Sequence, residues 1–403
     1  MKKVTFFVLM ILFVFTSFSA VTITITGWPG NPAEEAAINE IVQKFNASHK
    51  DIQVRWDPIA GDYKQTLMTR LSGGQGPDLF YVDVYVFEEL ARANVLQPLD
   101  LYIQRDKFDI DDFYPNLVDA FTFNNRVYGI AKDFSTLALF YNKEIFDKYN
   151  VPYPTNEDTW FDLFYKASLL KERGYDAPLS LAADFNRLIP MIHSFGGRLV
   201  KEDLSTALTE KQAVAALKFY IELAAKYNLA YLPSTLGAGW LGDAFAKEMT
   251  AMVMEGPWAL GYIRESFPNV ESKTGIVELP SLVDESTMIY TVAWSINRQS
   301  PHKDEAWEVL KFLVTEGQEI FVQKAGVLGS RQSVAAKDTD PMKQVFYDSV
   351  EFGYPWRVPT PAGIFAKAND YLNSVLNDLF AGRITVDEAI KTIEKNYNSW
   401  VSQ

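Results

Sequence analysis

The order of apolar and polar positions predicts that strands and helices alternate along the first part of the chain. Val21 to Thr26 alternates Val or Ile with Thr, and Ile52 to Trp56 is a second extended segment. Pro32 begins a stretch with helical apolar spacing between these strands, and Asp62 to Leu71 repeats that pattern after the second. Such a βαβαβ series favours a mainly parallel sheet with helices on both faces.

The third predicted strand ends at an acidic residue. Leu79 to Val82 is a short run of aromatic and β-branched residues, typical of a strand buried on both faces. Asp83 follows it directly, and a helical pattern begins soon after. Because ligands of open α/β sheets bind outside the carboxyl ends of the strands, we expect Asp83 and Tyr85 to lie at a ligand site.

The middle of the chain contains an unusually long extended segment. Val127 to Asn142 is long and extended with a polar Lys132-Asp133 step in its middle, a pattern expected of a strand that passes from one lobe to another. Further strands are predicted at Met249–Met254 and Tyr290–Asn297. Helices are predicted near Trp160–Lys171, Leu188–Phe195, Gln212–Tyr227, Gly242–Lys247, Ala259–Ser266 and Lys303–Val314, and from Phe365 to Trp400 in two parts split at Gly382.

Composition narrows the possible partners. A length of 403 residues favours two lobes, since single cores stop growing near about 250–300 residues. The net charge of −13, with no basic run, argues against binding to nucleic acid or to anionic lipid. There is no cysteine, so the hydrophobic core must supply the stability of the protein without disulfides.

The first 20 residues have the features of a secretory signal peptide. Lys2 and Lys3 precede an apolar stretch to Phe15, and small residues follow, with cleavage expected near Ser19 or Ala20. An uncleaved anchor is the alternative. The absence of cysteine excludes a lipoprotein anchor, so we expect an exported, periplasmic protein that does not insert into the membrane after cleavage.

Motifs for catalysis are weak. The three histidines stand apart from other ligands at metal spacing, and neither a nucleophile elbow nor a phosphate-binding loop occurs. Gly237 to Gly242 matches the dinucleotide pattern, but no buried strand precedes it, so a glycine turn is favoured. We expect no cofactor, no metal and no catalytic residues. The carboxylates of Asp83, Asp133 and Glu255 nevertheless leave a glycosidase pair open.

Several segments together resemble the family 1 extracellular solute-binding proteins of ABC importers, the group with maltose-, trehalose- and glycerol-3-phosphate-binding proteins. The order and spacing of the motifs hold from about Val21 to the end. The motifs are Gly76-Pro77-Asp78-Leu79 with Asp83, Gly129-Ile130-Ala131 through Glu144, Ala251-Met252-Val253 through Trp258, Ser295-Ile296-Asn297 through Trp307 and Phe312-Leu313, and Ala381 to Ala389.

The resemblance implies a two-lobed α/β fold of the periplasmic-binding-protein type II. Each lobe would contain a mainly parallel sheet covered by helices, and three hinge crossings would join the lobes. The N-lobe is expected to comprise residues 21–131 and 295–327, and the C-lobe residues 132–294 and 328–403. The crossings should fall near Ala131–Thr136, Tyr290–Trp294 and Val327–Ser330.

Sugar-binding members of this family hold hexoses between aromatic faces and polar groups that bind the hydroxyls. Carried over by position, the resemblance implies a ligand site made of Trp28, Asp62, Asp83, Tyr85, Asp133, Trp258, Trp294, Arg331 and Trp356. Trp160, Trp307 and Trp400 stand at helical spacing among apolar residues and are expected in the core instead.

The resemblance therefore predicts a monomeric carbohydrate receptor that delivers its ligand to the membrane permease subunits of an ABC transporter. An uncharged di- or oligosaccharide is preferred, because no basic cluster accompanies the site motifs. Two alternatives stay open. One is a secreted glycoside hydrolase, and the other is a receptor for a non-sugar solute such as a glycerol phosphodiester, a polyamine or a peptide.

Overall fold

A computed structural model describes residues 20–357 and 364–401. The predicted signal peptide, apart from Ala20, falls outside the described residues. The strands are β1 (Val21–Thr26), β2 (Ile52–Trp56), β3 (Leu79–Asp83), β4 (Thr122–Phe123), β5 (Arg126–Val127), β6 (Ile130–Thr136), β7 (Ala138–Asn142), β8 (Leu179–Ser180), β9 (Ala230–Tyr231), β10 (Met252–Glu255), β11 (Thr274–Val277), β12 (Thr287–Ile296) and β13 (Gly353–Pro355).

Helices connect these strands and cover the sheets. They are α1 (Pro32–Ser48), α2 (Tyr63–Ser72), α3 (Val84–Arg92), α4 (Asp100–Asp106), α5 (Pro115–Ala120), α6 (Lys143–Lys148), α7 (Trp160–Glu172), α8 (Phe185–Ser194), α9 (Lys211–Ala225), α10 (Leu241–Ala246), α11 (Pro257–Ser266), α12 (Pro268–Glu271), α13 (Lys303–Val314), α14 (Glu316–Ala325), α15 (Gln332–Ala335), α16 (Pro341–Asp348), α17 (Ile364–Phe380) and α18 (Val386–Val401). Short 3₁₀ helices lie at Ile110–Asp112, Pro233–Leu236 and Ser349–Phe352. Within the described ranges, no helix is both long and apolar enough to cross a membrane.

Two separate sheets organise the molecule, which confirms the two-lobed α/β fold. The first has the order β13-β12-β3-β1-β2, with β6 also paired to β12, and its β1, β2 and β3 are parallel. The second has the order β11-β7-β10-β8-β9. The first sheet is mainly parallel, whereas the second is mixed, because β7 runs antiparallel to both of its neighbours.

The chain passes from the first sheet to the second at Leu137. The backbone N–H of Leu137 donates to Thr287 Oγ1 (3.0 Å), and that hydroxyl donates back to the Leu137 carbonyl (2.7 Å). The long strand predicted from residue 127 to residue 142 is therefore two strands, β6 and β7, in different sheets. Sheet membership places all of β6 and β12 in the first sheet, and the expected lobe boundaries stay a prediction.

One hydrophobic cluster lies mainly at each sheet, and a third cluster contains residues of both sheets, among them Phe80 on β3 and Phe140 on β7. The first sheet packs on Trp294 and Trp307, which are 2% and 0% exposed, and the second packs on Trp160 at 1%. The core positions predicted for Trp160 and Trp307 are thus confirmed. Trp400 is half-buried, and the edge of its ring contacts Tyr371 (centroids 5.4 Å apart).

Candidate functional site

The first lobe contains a cavity of about 320 Å³ at the carboxyl ends of its parallel strands. Aromatic rings and carboxylates share its lining. The lining includes Trp28, Asp62, Tyr63, Tyr81, Asp83 and Tyr85. Four of them, Trp28, Asp62, Asp83 and Tyr85, belong to the ligand site that the sequence predicts.

Helix caps determine where the two carboxylates lie. Asp83 ends β3, and its Oδ1 accepts a hydrogen bond from the Tyr85 backbone N–H (3.1 Å) as the N-cap of α3. Asp62 caps α2 in the same way and accepts from the Gln65 N–H (2.9 Å). Both side chains are therefore held at strand-to-helix junctions that face the cavity.

Trp28 is oriented by two tyrosines. Its ring packs edge-on against Tyr63 and Tyr81, each with a centroid distance of 5.1 Å. The Tyr63 hydroxyl donates to the backbone carbonyl of Tyr81 (2.8 Å), which fixes the pair. Trp28 is half-buried, so part of its indole remains available to a ligand in the cavity.

A row of four rings connects the cavity to the second lobe. Tyr85 lies 5.3 Å from Trp356, Trp356 lies 5.4 Å from Tyr290, and Tyr290 lies 5.6 Å from Trp258. We call these four residues the aromatic row. Trp258 follows β10 of the second sheet and is 38% exposed. The structure thus brings three predicted site residues, Tyr85, Trp258 and Trp356, into one chain of contacts.

A buried ion pair supports the second-lobe end of the aromatic row. Arg187 Nη2 donates to both carboxylate oxygens of Glu255, each at 3.1 Å, and its Nη1 donates to the Tyr290 hydroxyl (2.8 Å). That hydroxyl donates to Asn186 Oδ1 (2.6 Å), and the guanidinium lies 5.7 Å from the centre of the Trp258 ring. The ion pair therefore holds both Tyr290 and Trp258.

Burial and the charge of the partner shift the pKa values of Arg187 and Glu255 in opposite directions. Burial raises the pKa of the Glu255 carboxyl, which is 1% exposed, although Arg187 lowers it. Burial alone would lower the pKa of Arg187, but Tyr290 and Glu255 outweigh it and raise that pKa above its usual value. The charged pair is retained because each partner compensates the other.

A second ion pair lies beneath the cavity. Lys132, on β6, bonds the carboxylate of Asp133, and its Nζ lies 5.1 Å from the centre of the Tyr81 ring. Burial is the main cause that raises the pKa of Asp83 to about 7, and the nearby charge of Asp133 raises it further. Burial also raises the pKa of Glu34, which lies close to the same ion pair.

Three predicted site residues, Trp294, Arg331 and Asp133, line neither the cavity nor the aromatic row. Trp294 is 2% exposed, and its ring packs 4.4 Å from Tyr81 in the core behind the cavity. Arg331 Nε donates to Asp112 (2.7 Å), and Arg331 is not among the residues that line the cavity. Asp133 lies below the cavity in its ion pair. These placements favour packing for Trp294 and a structural ion pair for Arg331.

The sequence does not predict several other residues of the site. Arg187 is the only Arg, Lys, Asp or Glu within α8 and is followed by the apolar run Leu188 to Ile192, a pattern that signals a buried, paired cation. Its partner is 68 residues away, so the pairing itself had no local signal. Tyr81 and Tyr290 belong to predicted strands and Tyr63 to a predicted helix, but nothing in the pattern separates them from core aromatics.

The described residues contain no group of three or more histidines and carboxylates that could hold a metal ion. The site instead combines exposed ring edges and faces, two capping carboxylates and two locked ion pairs. This arrangement suits the reversible binding of a polar ligand that has apolar faces.

Comparisons with known proteins agree with this geometry. The family model described as bacterial extracellular solute-binding protein matches residues 29–320. An uncharacterised ABC transporter extracellular-binding protein of Pyrococcus horikoshii is 26% identical over 392 residues, covering 92% of this chain and 86% of that protein. The lactose-binding protein of Rhizobium radiobacter is 24% identical, covering 92% and 91%.

The architecture also matches a solved structure. An ABC substrate-binding protein of Listeria monocytogenes, in complex with cycloalternan, superposes with a TM-score of 0.80 at 25% identity. The match covers 95% of this chain and 100% of the other.

Proposed function

The chain belongs to the bacterial extracellular solute-binding proteins, and on that premise we propose that it captures a disaccharide or oligosaccharide between its lobes for import. The observation that carries the proposal is the aromatic row, which continues from the cavity wall at Tyr85 to the exposed Trp258. Similarity to a lactose-binding protein supports the same ligand class.

The chemistry of the site fits a sugar. Aromatic faces cover the C–H side of a pyranose, and carboxylates such as Asp62 and Asp83 accept hydrogen bonds from its hydroxyls. A cavity of about 320 Å³ falls in the size range of small-molecule sites, and the aromatic row extends the surface beyond it. A ligand of more than one ring would use both parts.

We further propose that the protein works in the periplasm as a monomer without a lipid anchor and delivers its sugar to the permease of an ABC transporter. The absence of cysteine supports the lack of an acyl anchor. The similarity to ABC extracellular-binding proteins supports the transporter partner.

The proposed role is binding without hydrolysis. A glycosidase would need two carboxyl groups free to flank one bond. Asp133 is bonded to Lys132, and both oxygens of Glu255 accept from Arg187. These ion pairs support a scaffold role for both carboxylates.

A thermal-shift panel of neutral di- and oligosaccharides tests the proposal. The panel contains maltose, maltotriose, lactose, cellobiose, mannobiose and arabino-oligosaccharides. A sugar that binds only the folded state adds about 2.7 kcal/mol to the free energy of unfolding at 100 times its Kd, so we expect a rise in Tm with at least one of them.

Two variants show where the sugar binds. Trp258→Ala should abolish the shift, because it removes the exposed end of the aromatic row. Tyr165→Ala is the matched control, since this ring on α7 is 59% exposed but outside the site. No response across the panel at millimolar concentrations, or steady release of reducing ends from a bound sugar, would overturn the proposal.

A further inference from the structure

Every cation of the candidate site, in the part of the chain that the structure describes, already has an acidic partner. Lys64, at the cavity, bonds Glu89 (2.7 Å), and Lys132, below it, bonds Asp133. Arg187, at the second-lobe end, bonds Glu255. A ligand anion would therefore compete with a protein carboxylate for the charge of each of these cations.

The capping carboxylates of the cavity are in the opposite situation. Asp62 and Asp83 form no ion pair with any described residue, and the hydrogen bonds that hold them come from backbone N–H groups. Burial raises the pKa of Asp83, and the nearby Lys132, which lowers that pKa, is itself bonded to Asp133 rather than to Asp83.

Further carboxylates near Tyr85 add to the negative charge of Asp62 and Asp83. Burial raises the pKa of Tyr85, and the neighbouring carboxylates raise it further. These carboxylates are Asp83, Glu89, Asp370 and Asp62. Among them only Glu89 has a lysine partner in the described part of the chain, so the charge around Tyr85 at the start of the aromatic row is negative overall.

We propose that Asp62 and Asp83 select ligands by charge, so that the site accepts neutral and amine-bearing saccharides and rejects those with a carboxylate or phosphate group. The inference rests on the proposed function and specifies its ligand class. An anionic sugar would place like charges together in a partly desolvated cavity, which is how specificity is often built. A sugar ammonium group would form a charge-assisted hydrogen bond that the protein leaves unmade.

Asp83 should contribute more than Asp62 to the discrimination between neutral and anionic ligands. Asp83 is half-buried at the end of β3, whereas Asp62 is exposed at the rim. Water and salt screen an exposed charge more strongly than a buried one. Most of the discrimination is therefore assigned to Asp83.

Matched probes make the test independent of sugar identity. The probes are maltose, cellobiose and mannobiose, each also with one CH₂OH group, on either ring, replaced by CH₂NH₃⁺ or by COO⁻. Calorimetric titration is performed at about pH 8, where a carboxyl group with a pKa of about 7 is mainly ionised and an alkylamine is mainly protonated.

In the series that binds, the carboxylate probe should bind at least about tenfold more weakly than the neutral sugar, which corresponds to about 1.4 kcal/mol. The ammonium probe should bind at least as tightly as the neutral one. Asp83→Asn keeps the shape of the side chain and the N-cap of α3 but removes the charge. The difference in affinity between the ammonium probe and the carboxylate probe should therefore become smaller. The Asp62→Asn/Asp83→Asn double variant should shrink it further.

Asp176→Asn is the control, because it changes the net charge equally at a fully exposed side chain before β8, at the end of that strand away from the site. Equal affinity for carboxylate and neutral probes in the wild type would overturn the charge proposal and leave the sugar-receptor function standing. An unchanged gap in both Asp83 variants, or an equal effect of Asp176→Asn, would also overturn it. Failure of every neutral probe would count against the proposed function itself, and with it this inference.

Discussion

At the scale of single residues, Asp83 combines a structural role with a place in the wall of the candidate site. Its carboxylate caps α3 through the Tyr85 N–H and also lines the cavity. Burial raises the pKa of Asp83 from 3.8 to about 7. The folded protein therefore binds a proton here over a pH range in which the unfolded chain has already lost it.

This pKa shift predicts a pH-dependent cost to stability. The contribution of Asp83 is fully favourable below about pH 4 and is lost as the pH rises to about 7. Relative to the wild type, Asp83→Asn should gain up to about 1.4 kcal/mol of unfolding free energy per pH unit over that range. Urea unfolding at a series of pH values measures the difference, and a difference that is flat between pH 4 and 7 would contradict the burial of this charge.

Some residues of the candidate site could be predicted from the sequence, and others could not. The positions of Asp83 and Trp258 were predictable because Asp83 ends a buried strand and Trp258 comes three residues after one, where open sheets place ligand groups. Trp294 was assigned to the site by the family resemblance, at the second crossing, but it lies in the core, because β12 pairs with both β3 and β6 and its ring turns toward Tyr81. The face that a ring occupies depends on strand pairing, which the local pattern does not contain.

At the scale of elements, strand and helix positions were largely predictable, and sheet membership was not. β1 and α13 have the bounds that the periodicity predicts. The change of sheet at Leu137 depends on two hydrogen bonds to Thr287, 150 residues away. A continuous apolar run gives no sign of such a long-range contact.

Helix α8 and strand β13 are joined by a histidine–tyrosine stack. The rings of His193 and Tyr354 are parallel within 2°, with centroids 3.8 Å apart. Burial lowers the pKa of His193 from 6.5 to about 4, while the Gly197 backbone and the charge of Asp284 act in the other direction. The stack therefore contains a neutral imidazole that fixes α8, which carries Arg187 and Asn186.

Acid should weaken this junction. The contribution of His193 is fully present above about pH 6.5 and is lost as the pH falls to about 4, because the unfolded chain takes up the proton first. His193→Phe keeps an aromatic stack without a titratable group. Its unfolding free energy should therefore fall less on acidification than that of the wild type, and the two should differ by up to about 1.4 kcal/mol per pH unit over that range. Parallel acid-dependent changes in the wild type and His193→Phe, measured by urea unfolding, would show that the imidazole is not buried neutral.

At the scale of the whole molecule, the lobes built on the two sheets share a hydrophobic cluster that contains Phe80 and Phe140, and they also meet at the aromatic row. A ligand that contacts Trp28 on one lobe and Trp258 on the other stabilises the closed arrangement more than the open one. The proposed function thus requires a change in lobe separation on binding.

The lack of cysteine makes this motion measurable. Cysteines introduced at Leu101 on the first lobe and Tyr165 on the second, which are 78% and 59% exposed, can carry a dye pair without competing thiols. A sugar that raises Tm should shift the energy-transfer efficiency toward a shorter distance. A sugar from the panel that leaves Tm unchanged is the control, and an identical efficiency with both sugars would refute closure.

The central claim is that this molecule is a saccharide receptor, and its co-purified ligand tests that claim most directly. The native protein is purified from its own cells without denaturation and examined by native mass spectrometry, and the released ligand is then identified by fragmentation. We expect a bound mass that fragments into whole sugar units and carries no carboxylate or phosphate. A peptide, a polyamine or a phosphodiester recovered in stoichiometric amount would contradict it.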